Sequence, residues 1–197
     1  MFVRMYDRLR QAMAQPPPLR RSEQGEVRHA AVALVLAKGP QGWSLLMMKR
    51  AEREGDPWSG HMSFPGGHVE PGDVDHLHAA MREAREEMGL RLKSKSCLGE
   101  LGAVSSPRVQ GGPKKRLVRA FVFALKEQPE LTLNAEASSA NWFPLQELLD
   151  GVGRGQFEFD WKGKAMLLPR IDMQGERIWG MSLGMLDELL ERIRETQ

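Results

Sequence analysis

From residue 30 to residue 37 the chain reads Ala-Ala-Val-Ala-Leu-Val-Leu-Ala, eight positions without a polar side chain. It then turns at Gly39-Pro40-Gln41-Gly42 and returns as Trp43-Ser44-Leu45-Leu46-Met47-Met48. An uninterrupted apolar run bounded by turn residues suits a strand buried on both faces. The periodic segments elsewhere supply flanking helices. Phe2, Met5, Tyr6, Leu9 and Met13 recur at three- and four-residue intervals, which predicts an amphipathic helix within residues 1–15, stopped by Pro16, Pro17 and Pro18. Residues 75–88 predict a second helix with Gly89 at its C-cap, and Leu183, Leu186, Leu190 and Ile193 mark one side of a last one. Further strands are expected at residues 98–104 and 117–125. Trp142-Phe143 reads as a short strand before a helical turn over residues 145–149, and residues 157–161 and 165–171 as a hairpin. The fold class is therefore α+β, a mixed sheet with flanking helices. Residues 1–18 form a helix and proline spacer, and residues 27–197 a single domain, as a length of 197 residues suggests.

Composition narrows the function. A net charge of +2, from 28 basic and 26 acidic residues, makes no broad positive field, so a nucleic-acid partner is not indicated. No apolar run approaches the ~20 residues that cross a bilayer, and the first residues lack a secretory apolar stretch. Cys97, the single cysteine, fits a reducing cytoplasm.

The chemistry concentrates in Arg82-Glu83-Ala84-Arg85-Glu86-Glu87-Met88-Gly89-Leu90. At about 100° per residue, Glu83, Glu86 and Glu87 share one helical arc, beside an apolar arc of Ala80, Ala84 and Met88. Like charges at that spacing repel, and a hard divalent cation such as Mg²⁺ would relieve the repulsion. A solvated acidic face, balanced by Arg82 and Arg85, is the bland alternative. The preceding Phe64-Pro65-Gly66-Gly67 ends an extended segment with two residues that bring backbone carbonyls close to a ligand.

This arrangement resembles the Nudix box, G-x5-E-x7-R-E-U-x-E-E-x-G-U, of the Nudix hydrolases. Arg82, Glu83, Ala84, Glu86, Glu87, Gly89 and Leu90 fit its second half without exception. Asp73 stands where the family has its first glutamate, with eight residues rather than seven before Arg82, which makes Asp73 a weaker candidate for a role. The resemblance implies an α/β/α sandwich with a mixed central sheet. It also implies a metal site of Gly67, Glu83, Glu86 and Glu87 holding Mg²⁺ or Mn²⁺, and hydrolysis of a diphosphate linkage in a nucleotide-type small molecule. Glu86 or Glu136 would take the proton from water, and Arg82 would orient Glu83 or Glu86.

Upstream, the chain looks like the coenzyme A pyrophosphatase branch, with pattern L-L-T-x-R-[SA]-x3-R-x3-G-x3-F-P-G-G. Leu46, Arg50, Ala51 and Phe64 to Gly67 match. Met47 and Met48 replace the second Leu and the Thr, Gly55 stands at the second Arg, and Gly60 comes one residue late. A coenzyme A-like substrate ranks first, then ADP-ribose or another nucleoside diphosphate sugar, then a dinucleoside polyphosphate. A silent binding module of the same fold is the alternative of another class. Arg50, Lys115 and Arg116, with Arg108 and Lys114, are the cations expected to meet phosphate. His61 and His68 lack a third ligand, Trp58 is read as packing its loop rather than stacking on a base, and a homodimer is allowed.

Overall fold

In a computed structural model, residues 2–17, 27–55, 58–105, 116–161 and 163–196 are described, without the side chains of residues 2–4. The apolar run forms β1 (Arg28–Gly39), whose partner across the turn is β2 (Gly42–Arg50). Short strands β3 (Met62–Ser63) and β4 (Gly66–His68) precede α2 (His76–Met88), the second helix after α1 (Phe2–Met13). Then come β5 (Cys97–Glu100), β6 (Val104–Ser105), β7 (Arg116–Leu125), β8 (Ala137–Pro144) and α3 (Leu145–Asp150). The chain closes with β9 (Arg154–Trp161), β10 (Lys164–Met173), β11 (Glu176–Trp179) and α4 (Gly180–Arg194).

Among the described residues the main sheet has eight strands in the order β3-β2-β1-β7-β5, with β4 on β1, β6 on β7 and β8 on β2. It is mixed because β1 and β7 run parallel while the other pairs are antiparallel. Alternation along β1 sorts the two faces. Ala31, Ala33 and Val35 pack with Ala79, Ala80, Ala84 and Met88 of α2. Leu34 and Leu36 face the opposite core, which holds Leu9 and Met13 of α1, Leu145 and Leu148 of α3, and Leu183, Leu186, Leu190 and Ile193 of α4. The result is the expected α/β/α sandwich, and it explains why β1 carries no polar alternation: both of its faces are core.

Three expectations change in detail. The strand predicted over residues 98–104 is two pieces, both on β7, because the Gly102 N–H between them leaves the ladder and donates to Glu188 Oε1 of α4 at 2.7 Å. The strand predicted at Trp142-Phe143 extends over eight residues. Its polar Ser138, Ser139 and Asn141 fit an edge strand, which among the described residues pairs with β2 alone. The late hairpin gains β11 and becomes a separate three-stranded sheet, β11-β10-β9.

Along β1 the neighbour changes. Val35–Gly39 pair with β2, whereas Ala30–Val32 pair with β4, and beyond the change Met48 and Lys49 of β2 pair with β3, while β8 follows the other edge of β2 from Ser44 to Arg50. This fork places the start of β4 against α2.

Candidate active site

α2 begins at Asp75, whose carboxylate accepts the His78 N–H at 2.7 Å, and ends at Gly89 in the left-handed conformation. Its inner face is built from alanines, so the helix sits close to the sheet and its acidic flank meets β4. Both glycines of β4 are closely approached: a Cβ on Gly67 would collide with the Glu83 carboxylate of α2, and one on Gly66 would lie 2.6 Å from the Val32 Cα of β1. The Gly66 N–H donates to Glu87 Oε2 at 2.8 Å.

The three glutamates have different surroundings. Glu87 is 2% exposed, and burial pushes its carboxyl up to about 7, aided by the negative charges of Glu83 and Glu136 and opposed by the Gly66 N–H and by Arg50. Burial also raises Glu83, against the pull of Arg82. Glu86 lies further out, its side chain 45% exposed. Arg82 Nη1 donates to Glu83 Oε1 at 3.0 Å and to Glu86 Oε2 at 2.9 Å. Both carboxylates that Arg82 was expected to orient are thus its hydrogen-bond partners.

Asp73 is the residue that the sequence undervalued. Its Oδ1 and Oδ2 accept Arg82 Nε and Nη2, both at 3.1 Å, forming a two-pronged pair, and Arg82 Nη2 also donates to the His68 carbonyl at 2.9 Å. Asp73 Oδ2 further accepts the Glu70 N–H at 2.8 Å, and Oδ1 meets His78 Nδ1 at 3.2 Å. The Arg82 hydrogen bonds hold the Asp73 carboxyl at about 2. The signal was present, since Asp73 occupies the acid position of the box. The shorter side chain and the extra residue disguised it.

The loop before β8 crosses the C-terminal end of α2, with the Thr132 N–H on the Met88 carbonyl at 2.9 Å and the Asn134 N–H on the Glu87 carbonyl at 3.0 Å. It brings Glu136 into the electrostatic field of Glu83 and Glu87. The Glu136 carbonyl accepts the Ala51 N–H at 2.8 Å, and its carboxylate lies 3.5 Å from Arg53, a pairing that the sequence reading missed. Arg50, at the end of β2, is therefore beside both the glutamates and the Glu136 loop. Arg116 is not brought to this group; it sits on β7 opposite Arg28, with β1 between it and β2. Arg108, Lys114 and Lys115 lie outside the described residues.

This donor set suits a hard divalent ion: carboxylates, that of Glu87 buried and those of Glu83 and Glu87 both raised by burial and by neighbouring negative charge, next to a diglycine backbone. Among the described residues no three carboxylate, imidazole or thiolate groups stand closed as a coordination sphere. Arg82 engages Glu83 and Glu86, and Glu87 is turned to Gly66.

A family model described as the NUDIX domain matches residues 27–162. The chain is 29% identical over 180 residues to an uncharacterized Nudix hydrolase, NudL, of Photorhabdus laumondii, with 91% of each protein covered. It is 31% identical over 142 residues to the human mitochondrial coenzyme A diphosphatase NUDT8, covering 71% of this chain. The matched region is 58% of that human protein, and 43% of a Schizosaccharomyces pombe relative. In fold, the MutT protein of Methanosarcina mazei superposes with a TM-score of 0.56 at 19% identity, over 89% of this chain and 99% of that one.

Proposed function

Because this chain belongs to the Nudix family, we propose that it is a pyrophosphohydrolase that splits the diphosphate linkage of a nucleoside diphosphate derivative, with a coenzyme A-like molecule the first-ranked substrate. The observation that carries this reading is the flank of Glu83, Glu86 and Glu87 against Gly66–Gly67, with Glu87 buried beside the like charges of Glu83 and Glu136. Support for the substrate ranking is the upstream Leu46, Arg50, Ala51 and Phe64–Gly67 pattern and the likeness to a relative named as a coenzyme A diphosphatase.

Nudix hydrolases use divalent metal ions; in this chain Glu83, Glu86, Glu87 and the Gly67 carbonyl would hold Mg²⁺ or Mn²⁺. When bound, such an ion neutralises diphosphate charge and makes a bound water acidic enough to attack phosphorus. The residues do the remaining work. Arg82, anchored by Asp73, holds Glu83 and Glu86 in place. Glu86, more exposed, or Glu136, on the loop over the helix end, accepts the proton of the attacking water. Arg50, beside Glu87, binds a phosphate oxygen of the substrate. No helix among the described residues is long and apolar enough to cross a membrane. A cytoplasmic setting, supported by the lone Cys97, completes the reading.

The test is hydrolysis of a panel with Mg²⁺ and with Mn²⁺: coenzyme A, ADP-ribose, nucleotide sugars, diadenosine polyphosphates and 5′-capped RNA. Turnover of coenzyme A at the highest kcat/KM is expected, with ¹⁸O from water appearing in one product phosphate. Absence of turnover on every diphosphate would overturn the proposal.

A further inference from the structure

Beyond the carboxylates, the three-stranded sheet carries an aromatic face that the hydrolytic machinery leaves unused. Phe157, Phe159 and Trp161 alternate along β9 and so share one face, opposite Leu168, Met166 and Lys164 of β10. Trp179, at the end of β11, lies at the centre of the cluster. Its ring is 5.3 Å from Phe157, 5.0 Å from Phe159, 5.0 Å from His61 and 6.4 Å from Trp58, centroid to centroid. Trp58 in turn meets His61 edge-on at 5.9 Å. Rings from three distant stretches of chain thus converge, yet Trp58 remains 37% exposed.

Two features distinguish this end of the face from ordinary packing. The first is rigidity. Ser59 Oγ accepts the Arg53 N–H and donates to the Arg53 carbonyl, each at 2.9 Å, so the base of the Trp58 loop is pinned. The His61 N–H bonds the Trp58 carbonyl at 3.3 Å. A tryptophan 37% exposed, with these bonds at Ser59 and His61 beside it, offers a flat surface at small entropic cost. The second is continuity with the candidate active site. The Arg50 N–H donates to the His61 carbonyl at 3.0 Å, the Gly60 N–H donates to the Arg50 carbonyl at 3.1 Å, and the next residue, Ala51, bonds Glu136. One short stretch, Arg50-Ala51, therefore borders the aromatic rings on one side and the Glu136 loop on the other.

We propose that the Trp58–Trp179 end of this face is where the nucleobase of the substrate stacks, while its diphosphate lies over Arg50 toward the glutamates. The proposal rests on the hydrolase reading above and adds to it a base-recognition site. Stacking tolerates any base, because every base presents a π-face, so this end sets affinity for nucleotide-type substrates without choosing among bases.

The experiment compares AMP with ribose 5-phosphate, which differ only by the base, by saturation-transfer NMR on the full chain in EDTA. Wild type and Trp58→Phe are expected to bind AMP through its adenine protons and to ignore ribose 5-phosphate at the same concentration. Trp58→Ala should bind AMP about tenfold more weakly. In turnover with Mg²⁺, Trp58→Ala should raise KM for coenzyme A about tenfold and leave kcat within about twofold. Equal AMP binding by wild type and Trp58→Ala would overturn the proposal. So would a dimer that sedimentation shows to be lost in Trp58→Ala, since the face would then be a subunit interface. If AMP binds as expected but no diphosphate is hydrolysed, the hydrolase reading fails and the base site stands.

Discussion

Asp73 and Glu87 mark the two electrostatic extremes of the site, and each makes a prediction. The Asp73 carboxyl, held at about 2 instead of its ordinary 3.8, favours the folded state wherever it is ionised in both states. That contribution, about 2 kcal/mol, is fully present above pH ~4 and is lost as the pH falls toward 2. Asp73→Ala should therefore be less stable than wild type by about that amount at pH 7, in urea melts, with the gap narrowing as the pH falls toward 2. Glu87 is the reverse case. Its carboxyl, raised to about 7 by burial, costs stability when ionised, so the metal-free protein should gain stability as pH falls through 7 toward 4.5. Glu87→Gln keeps an acceptor for the Gly66 N–H and removes the buried charge. Its melting point in EDTA at pH 8 should rise, while its kcat should fall by several decades, roughly 4 kcal/mol or more of barrier. Calorimetry and an assay on the same preparation check both signs.

At the scale of elements, legibility followed burial. β1, β2, α2 and α4 were readable because both faces or one full stripe of each is core, which leaves an unambiguous apolar pattern. α1 was equally readable, and its Leu9, Ala12 and Met13 are buried in the larger core, with Arg8 Nη2 bonding the Ile193 carbonyl of α4 at 3.0 Å. Deleting residues 1–15 should thus lower the melting point and leave kcat nearly intact well below it. Loss of kcat with an unchanged melting point would contradict that role. β8, β9 and β11 were less legible, because an edge strand or a half-exposed sheet lacks the alternation that one wholly buried face imposes. The break between β5 and β6 depends on a bond from Gly102 to Glu188, 86 positions away, and no local pattern signals it.

Across the whole molecule, the same divide separates the α2 glutamates from the rest of the candidate site. Glu83, Glu86 and Glu87 lie within one turn and a half of α2, so helical spacing alone was enough to group them, whereas Gly67 of β4 joined them through the resemblance to the family motif. The meeting of Arg53 with Glu136, and of Trp58 with Trp179, is created by the fork of β2 away from β1 and by the docking of the second sheet. Neither leaves a trace in sequence spacing. Arg50 sits where these parts join. Arg50→Ala should raise KM for the diphosphate substrate more than it lowers kcat, and an unchanged KM would make Arg50 a structural residue. The most direct measurement is anomalous diffraction from a crystal soaked in Mn²⁺. The expected result is a peak within coordination distance of Glu83, Glu86, Glu87 and the Gly67 carbonyl, with Arg82 still held by Asp73. Glutamates that keep their contacts with Arg82 and Gly66, and no peak beside them at saturating Mn²⁺, would contradict the account.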